Sequence, residues 1–274
     1  MKKSIICLVA LLALTLGFTS CEKQSAGTTG IVDYVVLKLL GEKQVLLSLG
    51  DTYVEPGWTA TDKGKDVHNT VDVVIVNMLG DVVPNVTTDA PGIFTITYSA
   101  TSQDGMFISE QRQVLVFDPG LTASLNGSFK VDFAQSKRID GGNNWTWQQW
   151  SDNYTNPDVW SYAAYSMTEI HLNFTQVVPG IYEVDDLLGG FYMGLRGYGP
   201  LYAENYGASY YYYYAMGGMV ILNADGSVDL VSSHIPSWGD SLEGFSGTFD
   251  EANGKLEFHS LYGGMDFNII MDKD

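Results

Sequence analysis

Two acidic residues on one short segment have the spacing of a catalytic carboxylate pair. Glu183 and Asp185 stand two residues apart in a segment that reads as a β-strand. Both would therefore face the same side, about 6.6 Å apart at 3.3 Å per residue, a separation used for hydrolysis of glycosidic bonds with inversion. The neighbouring Asp186 would face the other way. Because such pairs usually line solvated strand faces, we predict no catalytic residues and no enzyme.

Metal and cofactor chemistry lack their usual motifs. No Gly-x-Ser-x-Gly elbow, phosphate-binding loop or dinucleotide fingerprint occurs. The segment "NADGSVD", residues 223–229, lacks the full ligand series of a calcium loop and predicts a hairpin turn instead. The histidines are far apart and form no zinc-binding arrangement; they are His68, His171, His234 and His259. The sequence therefore predicts neither a metal nor a cofactor.

A dense group of tryptophans points to binding. Four of the six tryptophans lie in "WTWQQWSDNYTNPDVW", residues 145–160, among Asn, Gln, Asp, Ser and Thr. The segment has no strand or helix period beyond a short turn near residues 147–150, and its Asn-Pro pair favours a long loop. Exposed tryptophan planes beside amide and carboxylate groups suit the apolar faces and hydroxyls of a sugar.

Two interpretations of these rings are open. They either contact a glycan or fold back to cover the open end of a barrel. A run of five tyrosines, residues 210–214, raises the same alternatives of ligand contact and core packing, since alternate side chains of a strand face opposite ways. The predicted ligand-binding residues are Trp145, Trp147, Trp150, Trp160, Tyr211 and Tyr213.

The first thirty residues predict export and lipid attachment. Lys2 and Lys3 precede an apolar stretch, residues 5–18, that is shorter than the roughly 20 residues a membrane-spanning helix needs. The following "FTSC" resembles a bacterial lipoprotein box, in which the signal is cut before a cysteine that receives a diacylglyceryl group. The resemblance implies a signal peptide at 1–20, lipidation of Cys21, and a polar tether over 21–30.

Cysteine usage favours lipidation over its alternative, a secretory signal cut without lipid attachment. The chain has two cysteines, and Cys7 would leave with the signal. Cys21 would then be an unpaired thiol in an oxidising compartment unless acylation consumed it. We therefore expect the acyl chains to attach the protein to a membrane.

The chain is strongly acidic. Its 14 Lys and Arg against 32 Asp and Glu give a formal charge of −18. This charge disfavours nucleic acid as a partner. It would also be repelled by anionic lipid head groups, so membrane attachment should depend on the lipid anchor and not on a basic patch.

The remainder of the chain reads as β structure. "IFTITYSAT", residues 93–101, alternates between apolar and polar side chains, and residues 222–231 and 249–258 place Asp-Gly or Asn-Gly between alternating segments. Pro119-Gly120 marks a boundary between units at 31–118 and 119–274. About eight short strands in the second unit predict an antiparallel β-sandwich or barrel.

Ordered sequence blocks in the first unit resemble bacterial immunoglobulin-like domains of secreted and cell-surface proteins. The blocks are "LGDTYVEPGWTATDKGKDV", "APGIFTITYSATSQDG" and "RQVLVFD". The resemblance implies a small β-sandwich that spaces or presents its neighbours. We expect Trp58 to pack between its two sheets.

The second unit resembles the C-terminal domain that follows such modules in small Bacteroidetes-type lipoproteins, on "GIYEVDDLLGGFY" and "LEFHSLYGGMDFNIIM". That family's function is unassigned, but such lipoproteins often accompany glycan-uptake systems. The resemblance implies an outer-membrane location, facing either the periplasm or the cell surface.

The sequence as a whole predicts an all-β, non-catalytic, lipid-anchored cell-envelope protein. Its expected role is a glycan-binding accessory of an outer-membrane uptake system. The alternative is a structural or protein-interaction lipoprotein of an outer-membrane complex.

Overall fold

The computed structural model describes residues 33–154, 169–195 and 213–274. Residues up to Phe117 form an immunoglobulin-like sandwich of two sheets, with orders β1-β3-β4 and β2-β8-β7-β5-β6. The strand β2 runs parallel to β8, and the other pairs are antiparallel. The strands are β1 Val36–Leu39, β2 Gln44–Ser48, β3 Trp58–Asp62, β4 Lys65–Asp66, β5 Asp72–Asn77, β6 Val82–Val83, β7 Gly92–Thr101 and β8 Phe107–Phe117.

The core of the sandwich follows from the alternation in β7 and β8. Ile96 and Tyr98 on β7 and Val114 on β8 are buried against the facing sheet. Trp58 packs on Tyr98 with ring centroids 5.1 Å apart, but it is only half-buried. Trp58 therefore contacts the facing sheet, as expected, but its ring lies at the edge of the core.

A buried cation, Arg112, holds the sandwich together across its sheets. Its side chain has no exposed surface and pairs with Glu55. It also donates to the hydroxyl of Tyr98 at 3.0 Å and to the carbonyl oxygen of Glu42 at 3.0 Å. Loss of Glu55 would leave the buried charge of Arg112 uncompensated, so this pair is costly to break. The bond from Arg112 to Glu42 holds the β1–β2 connection against β8.

The remaining strands form a closed antiparallel barrel, so the barrel alternative is the correct one. Eight strands follow in the order β18-β17-β16-β15-β14-β13-β12-β9, and β9 pairs with β18 to close the ring. The strands β10 and β11 extend the sheet beyond β18. The elements are β9 Gly127–Val131, β10 Lys137–Asp140, β11 Asn143–Thr146, α1 Trp147–Tyr154, β12 His171–Val178, β13 Ile181–Val184, β14 Gly217–Leu222, β15 Ser227–His234, β16 Gly244–Asp250, β17 Lys255–Tyr262 and β18 Met265–Lys273.

The expected long loop at residues 145–160 is wrong for the residues that the structure describes. Residues 143–146 form β11, and α1 follows directly. Thr146 and Gln149 form a reciprocal cap: the Gln149 N–H donates to Thr146 Oγ1 at 3.2 Å, and the Thr146 N–H donates to Gln149 Oε1 at 2.8 Å. This capping box satisfies two amides at the helix start and makes a short polar helix stable.

An apolar contact joins the sandwich and the barrel. Ile93 and Leu115 on the outer face of the five-stranded sheet pack against Val178, Ile181 and Ile221 of the barrel. The predicted boundary at 118/119 lies in the connection between β8 and β9 and stays a prediction. Among the described residues, no helix combines the length and apolarity needed to cross a membrane.

Candidate ligand-binding site

Trp147 does not lie where a ligand could reach it. Its side chain has no exposed surface, and its indole N–H donates to the carbonyl oxygen of Gly189 at 2.9 Å. The ring packs on Phe191 with centroids 5.6 Å apart. Because an indole buried in this way has both its apolar face and its polar atom satisfied, Trp147 is a core residue, and the expectation of an exposed ring is wrong.

Trp150 is also buried, with 6% of its surface exposed. It meets Phe191 edge to face at 5.3 Å, and the guanidinium of Arg138 lies 4.8 Å from its ring centroid. Trp145 is half-buried and tilted against Trp150 at 5.0 Å. The three rings therefore fold back onto the barrel and form no open platform.

Of the other predicted site residues, the structure describes only Tyr213. Tyr213 is half-buried and meets Tyr214 edge to face at 5.7 Å. Cys21, Trp160 and Tyr211 lie outside the described residues, so their assignments stay predictions.

The acidic segment that follows β13 has a structural role that the sequence did not reveal. Asp186 is buried, and its carboxylate accepts backbone N–H groups from Leu188 at 2.9 Å, Gly190 at 3.0 Å and Met216 at 3.1 Å. These bonds fix the turn that leads into residues 191–195, all of which are buried. Burial raises the pKa of Asp186 to about 7, because desolvation outweighs the three donors that lower it.

Two glycines let this turn press against the barrel wall. Gly189 and Gly190 have φ values of 63° and 72°, which favour glycine. A Cβ at Gly189 would lie 2.6 Å from Ile269, and one at Gly190 would lie 2.5 Å from Ile170. The turn therefore delivers Phe191 to the core and Tyr192 to the barrel rim.

Glu183 and Asp185 do not form a matched pair. Glu183 is exposed, whereas Asp185 accepts the backbone N–H of Asn173 at 3.1 Å and its side-chain amide at 2.8 Å. Burial raises the pKa of Asp185. Residues 223–229 form the predicted hairpin turn, with Gly226 donating to the Asn223 carbonyl oxygen at 3.0 Å. Within the described ranges, no three His, Cys, Asp or Glu residues are grouped for a metal ion.

A pocket at the barrel rim brings aromatic rings and carboxylates together. We call it the rim pocket. It has a volume of about 670 Å³ and is lined by Tyr192, Trp238, Asp240, Ser241, Glu243, Tyr262, Gly263 and Met265.

Trp238 is the exposed ring of the rim pocket, with 45% of its surface accessible. Three tyrosines hold it: Tyr192 at 5.0 Å and Tyr214 at 5.2 Å meet it edge to face, and Tyr262 stacks on it at 6.4 Å with an interplanar angle of 22°. Such contacts fix the plane of the indole before any ligand arrives.

The two carboxylates of the rim pocket are also fixed. Tyr262 donates its hydroxyl to Asp240 Oδ2 at 3.0 Å, and burial together with this bond raises the pKa of Tyr262. Glu243 accepts the backbone N–H groups of Gly263 at 3.0 Å and Gly264 at 3.3 Å, both on the β17–β18 turn. Each carboxylate keeps acceptor capacity that a ligand could use.

A short turn presents Trp238 outward. Ile235 is buried and forms a bridge with Asp240, in which the Ile235 N–H donates to the Asp240 carbonyl oxygen at 2.9 Å. Gly239, with φ of 73°, closes the turn. The sequence reasoning missed this site. The available signal was one tryptophan in the turn-forming stretch "IPSWGDS" directly after an alternating strand. The arrangement suits non-covalent binding of a ligand with an apolar face and hydrogen-bond donors.

Two solved structures are among those to which this chain is similar. A lipoprotein from Bacteroides thetaiotaomicron is 27% identical, with a TM-score of 0.38 over 88% of this chain and 100% of that chain. A structure of a carbohydrate-binding module in complex with GlcNAc, with INT domains, from Clostridium perfringens ZmpB is 16% identical, with a TM-score of 0.24 over 55% of this chain and 31% of that one. Comparison with curated proteins finds no match.

Family models divide the chain in the same way as the fold. Residues 37–116 match the bacterial surface protein Ig-like domain, and residues 143–273 match a model described as a C-terminal domain. Neither is an enzyme family, and the surface-protein family indicates a cell-envelope location. The chain thus contains an Ig-like sandwich that matches the bacterial surface protein Ig-like model, followed by a β-barrel, most of which matches the second model.

Proposed function

We propose that this protein is a non-catalytic, lipid-anchored outer-membrane protein that binds a glycan in the rim pocket. The observation that carries the proposal is the position of Trp238, which is 45% exposed and lines the rim pocket together with two fixed carboxylates. An aromatic plane with hydrogen-bond acceptors at its edge matches a sugar, which has an apolar ring face and outward hydroxyl groups.

The size and rigidity of the rim pocket support this role. Its volume of about 670 Å³ falls in the range of small-ligand pockets, about 300–1,000 Å³. Trp238, Asp240 and Glu243 are each held by neighbouring residues. A pre-ordered site loses less conformational entropy when it binds, so more of the contact energy contributes to affinity.

The remaining parts fit an accessory of an uptake system. Acyl chains on Cys21 would hold the chain at the membrane, and the Ig-like domain would separate the barrel from it. The contact between Leu115 and the barrel residues Val178 and Ile181 would present the rim pocket in one orientation. The site could face the periplasm or the cell surface.

Affinity electrophoresis of the mature protein against a broad polysaccharide panel tests the proposal. We expect retardation by at least one polysaccharide, and Trp238→Ala should weaken that binding more than about tenfold, since aromatic residues dominate many binding sites. Phe107→Ala is the matched control, because Phe107 is 64% exposed and lies on the Ig-like domain. Absence of retardation throughout the panel, or equal retardation of the Trp238→Ala protein, would contradict the proposal.

A second candidate function is a protein-interaction lipoprotein of an outer-membrane complex. The outer face of the five-stranded sheet continues past the interdomain contact, and Leu46 and Val74 there remain 60% and 40% exposed. Crosslinking in intact membranes tests this candidate. A partner lost on Leu46→Asp and retained on Trp238→Ala would favour it over glycan binding.

A further inference from the structure

We infer that the rim pocket takes sugars that are uncharged or carry an amino group, and excludes those that carry a carboxylate or a sulfate. This inference rests on the proposed function and adds the chemical class of the ligand. It follows from the charges that line the pocket, the way in which they are held, and the exposed aromatic ring that lines the same pocket.

The described charged residues that line the rim pocket are all acidic. Asp240 and Glu243 line the rim pocket, and no Lys, Arg or His is among its described lining residues. The described cation Arg138 lies over the rings of Trp150 and Phe191. An anionic group placed on Trp238 would therefore meet two like charges without a described counter-charge, and such contacts discriminate strongly between ligands.

The two carboxylates cannot easily turn away from such a ligand. Tyr262 holds Asp240 through Oδ2, while two backbone N–H groups hold Glu243 through Oε1 and Oε2. Among the described residues, no donor reaches Asp240 Oδ1. A carboxylate fixed in this manner offers acceptors in set directions, which suit hydroxyl or ammonium donors.

The aromatic ring explains why the ligand is a sugar ring and not an isolated cation. Trp238 is 45% exposed, and its ring contacts Tyr192 and Tyr214 edge to face and is stacked with Tyr262. A pyranose stacked on the exposed part of this ring would direct its equatorial hydroxyl groups outward from the ring, and Asp240 and Glu243 line the same pocket. An amino group in place of one hydroxyl would gain a charge-assisted hydrogen bond and an attraction to the ring.

Paired polysaccharides that share a backbone and differ in the charge of its substituents test the inference. The probes are polygalacturonate and its fully methyl-esterified form, chitin and chitosan oligosaccharides, and neutral and sulfated galactans, each titrated into the detergent-solubilised full chain. We expect the esterified or neutral member of a bound galacturonate or galactan pair to bind at least about tenfold more tightly than its anionic member, which corresponds to about 1.4 kcal/mol. Chitosan should bind at least as tightly as chitin. Raising the salt concentration should narrow the difference by screening.

Two carboxamide variants test whether the acids of the rim pocket cause the preference for uncharged or amino glycans over anionic ones. Asp240→Asn and Glu243→Gln should each weaken binding of the preferred glycan and reduce its preference over the anionic member about threefold or more, because one repulsive charge is removed. Glu251→Gln is the matched control, since Glu251 is an exposed acid on the β16–β17 turn outside the pocket. Asp240→Asn alone decides the question if Glu243→Gln lowers the melting temperature.

The outcomes separate this inference from the function on which it rests. Preferential binding of polygalacturonate or sulfated galactan with loss on Trp238→Ala would overturn the charge preference and leave glycan binding intact. An unchanged preference in both carboxamide variants would also overturn it. Absence of binding by every glycan would overturn both proposals.

Discussion

Trp147 and Trp238 have similar neighbours in the sequence but differ in solvent exposure. Both are flanked by polar or turn-forming residues, yet Trp147 has no exposed surface and Trp238 is 45% exposed. The capping box of Thr146 and Gln149 starts a helix that turns Trp147 and Trp150 inward. The turn between Ile235 and Asp240 instead turns Trp238 outward. Backbone hydrogen bonds, more than the polarity of neighbours, decide which ring a ligand can reach.

The two regions meet through adjacent residues of one buried segment. Trp147 packs on Phe191 at 5.6 Å, and Trp238 packs on Tyr192 at 5.0 Å. The same turn, held by Asp186, therefore supplies a ring to the core and a ring to the rim pocket. Core stability and the geometry of the candidate site are coupled at this point.

Removal of the two rings should produce the largest difference. Trp147→Ala deletes a fully buried side chain and its hydrogen bond to Gly189, so we expect the free energy of unfolding to fall by about 3–5 kcal/mol. Trp238→Ala should cost about 1 kcal/mol, since the ring is half-exposed. Chemical denaturation followed by near-ultraviolet circular dichroism measures both. Comparable losses in the two variants would remove the distinction between a core ring and a rim ring.

Two glycines with the same φ angle allow the cost of a close Cβ contact to be separated from the cost of backbone strain. Gly190 and Gly264 both have φ of 72°, but a Cβ at Gly190 would lie 2.5 Å from Ile170 while one at Gly264 meets nothing within 4 Å. Gly264→Ala should therefore cost about 1 kcal/mol for strain alone. Gly190→Ala should cost about 3 kcal/mol, because overpacking adds to the strain. Melting temperatures of both variants provide the measurement, and equal shifts would refute tight packing of the turn.

The carboxyl group of Asp186 should give the shared segment a pH dependence. Its pKa is raised from 3.8 to about 7 by burial, so the native state binds more protons than the unfolded chain between these values. The free energy of unfolding should therefore fall as the pH rises through this interval, by up to about 1.4 kcal/mol per pH unit. Denaturation of wild type and Asp186→Asn across pH 4–8 isolates this contribution. We subtract the free energy of unfolding of Asp186→Asn from that of the wild type at each pH. A difference that stays constant or increases with pH would contradict this prediction.

Fluorescence quenching should show the smallest effect. Acrylamide is neutral and can approach Trp238 without repulsion by Asp240 and Glu243. Trp238→Phe should lower the fraction of emission that acrylamide quenches, because it removes an exposed indole. Trp147→Phe should raise that fraction slightly, because it removes a protected one. A quenchable fraction that changes with Trp147 and not with Trp238 would reverse the comparison.

Much of the fold could be predicted from local patterns. The alternation of residues 93–101 and the turns at Gly226 and Gly254, with φ of 83° and 65°, appear in the structure as the sequence indicated. The choice between a sandwich and a barrel could not be predicted, because it depends on the pairing of Val131 with Met271. Local periodicity contains no information on a contact between strands so distant in sequence.

The candidate site was less predictable. The capping box at Thr146 and Gln149 was a readable signal for a helix, but the polar composition of residues 145–160 favoured a loop. Asp186 was set aside as the acidic neighbour that faces away from Glu183 and Asp185, and only its burial and hydrogen bonds show that it organises a turn. Trp238 stands alone in sequence, and the three tyrosines that hold it come from distant segments. Its role depends on tertiary contacts that no short motif encodes.

The seam between β9 and β18 has a consequence for how the chain acquires its structure. Because β9 is the first strand of the barrel and β18 the last, a polypeptide synthesised from its N-terminus completes the Ig-like domain well before the ring can shut. Until residues 265–273 arrive, the nascent barrel is a curled sheet with two free edges that can pair with other chains. The nine residues of β18 thus close the barrel, and a premature stop codon ahead of them would leave an open, aggregation-prone product.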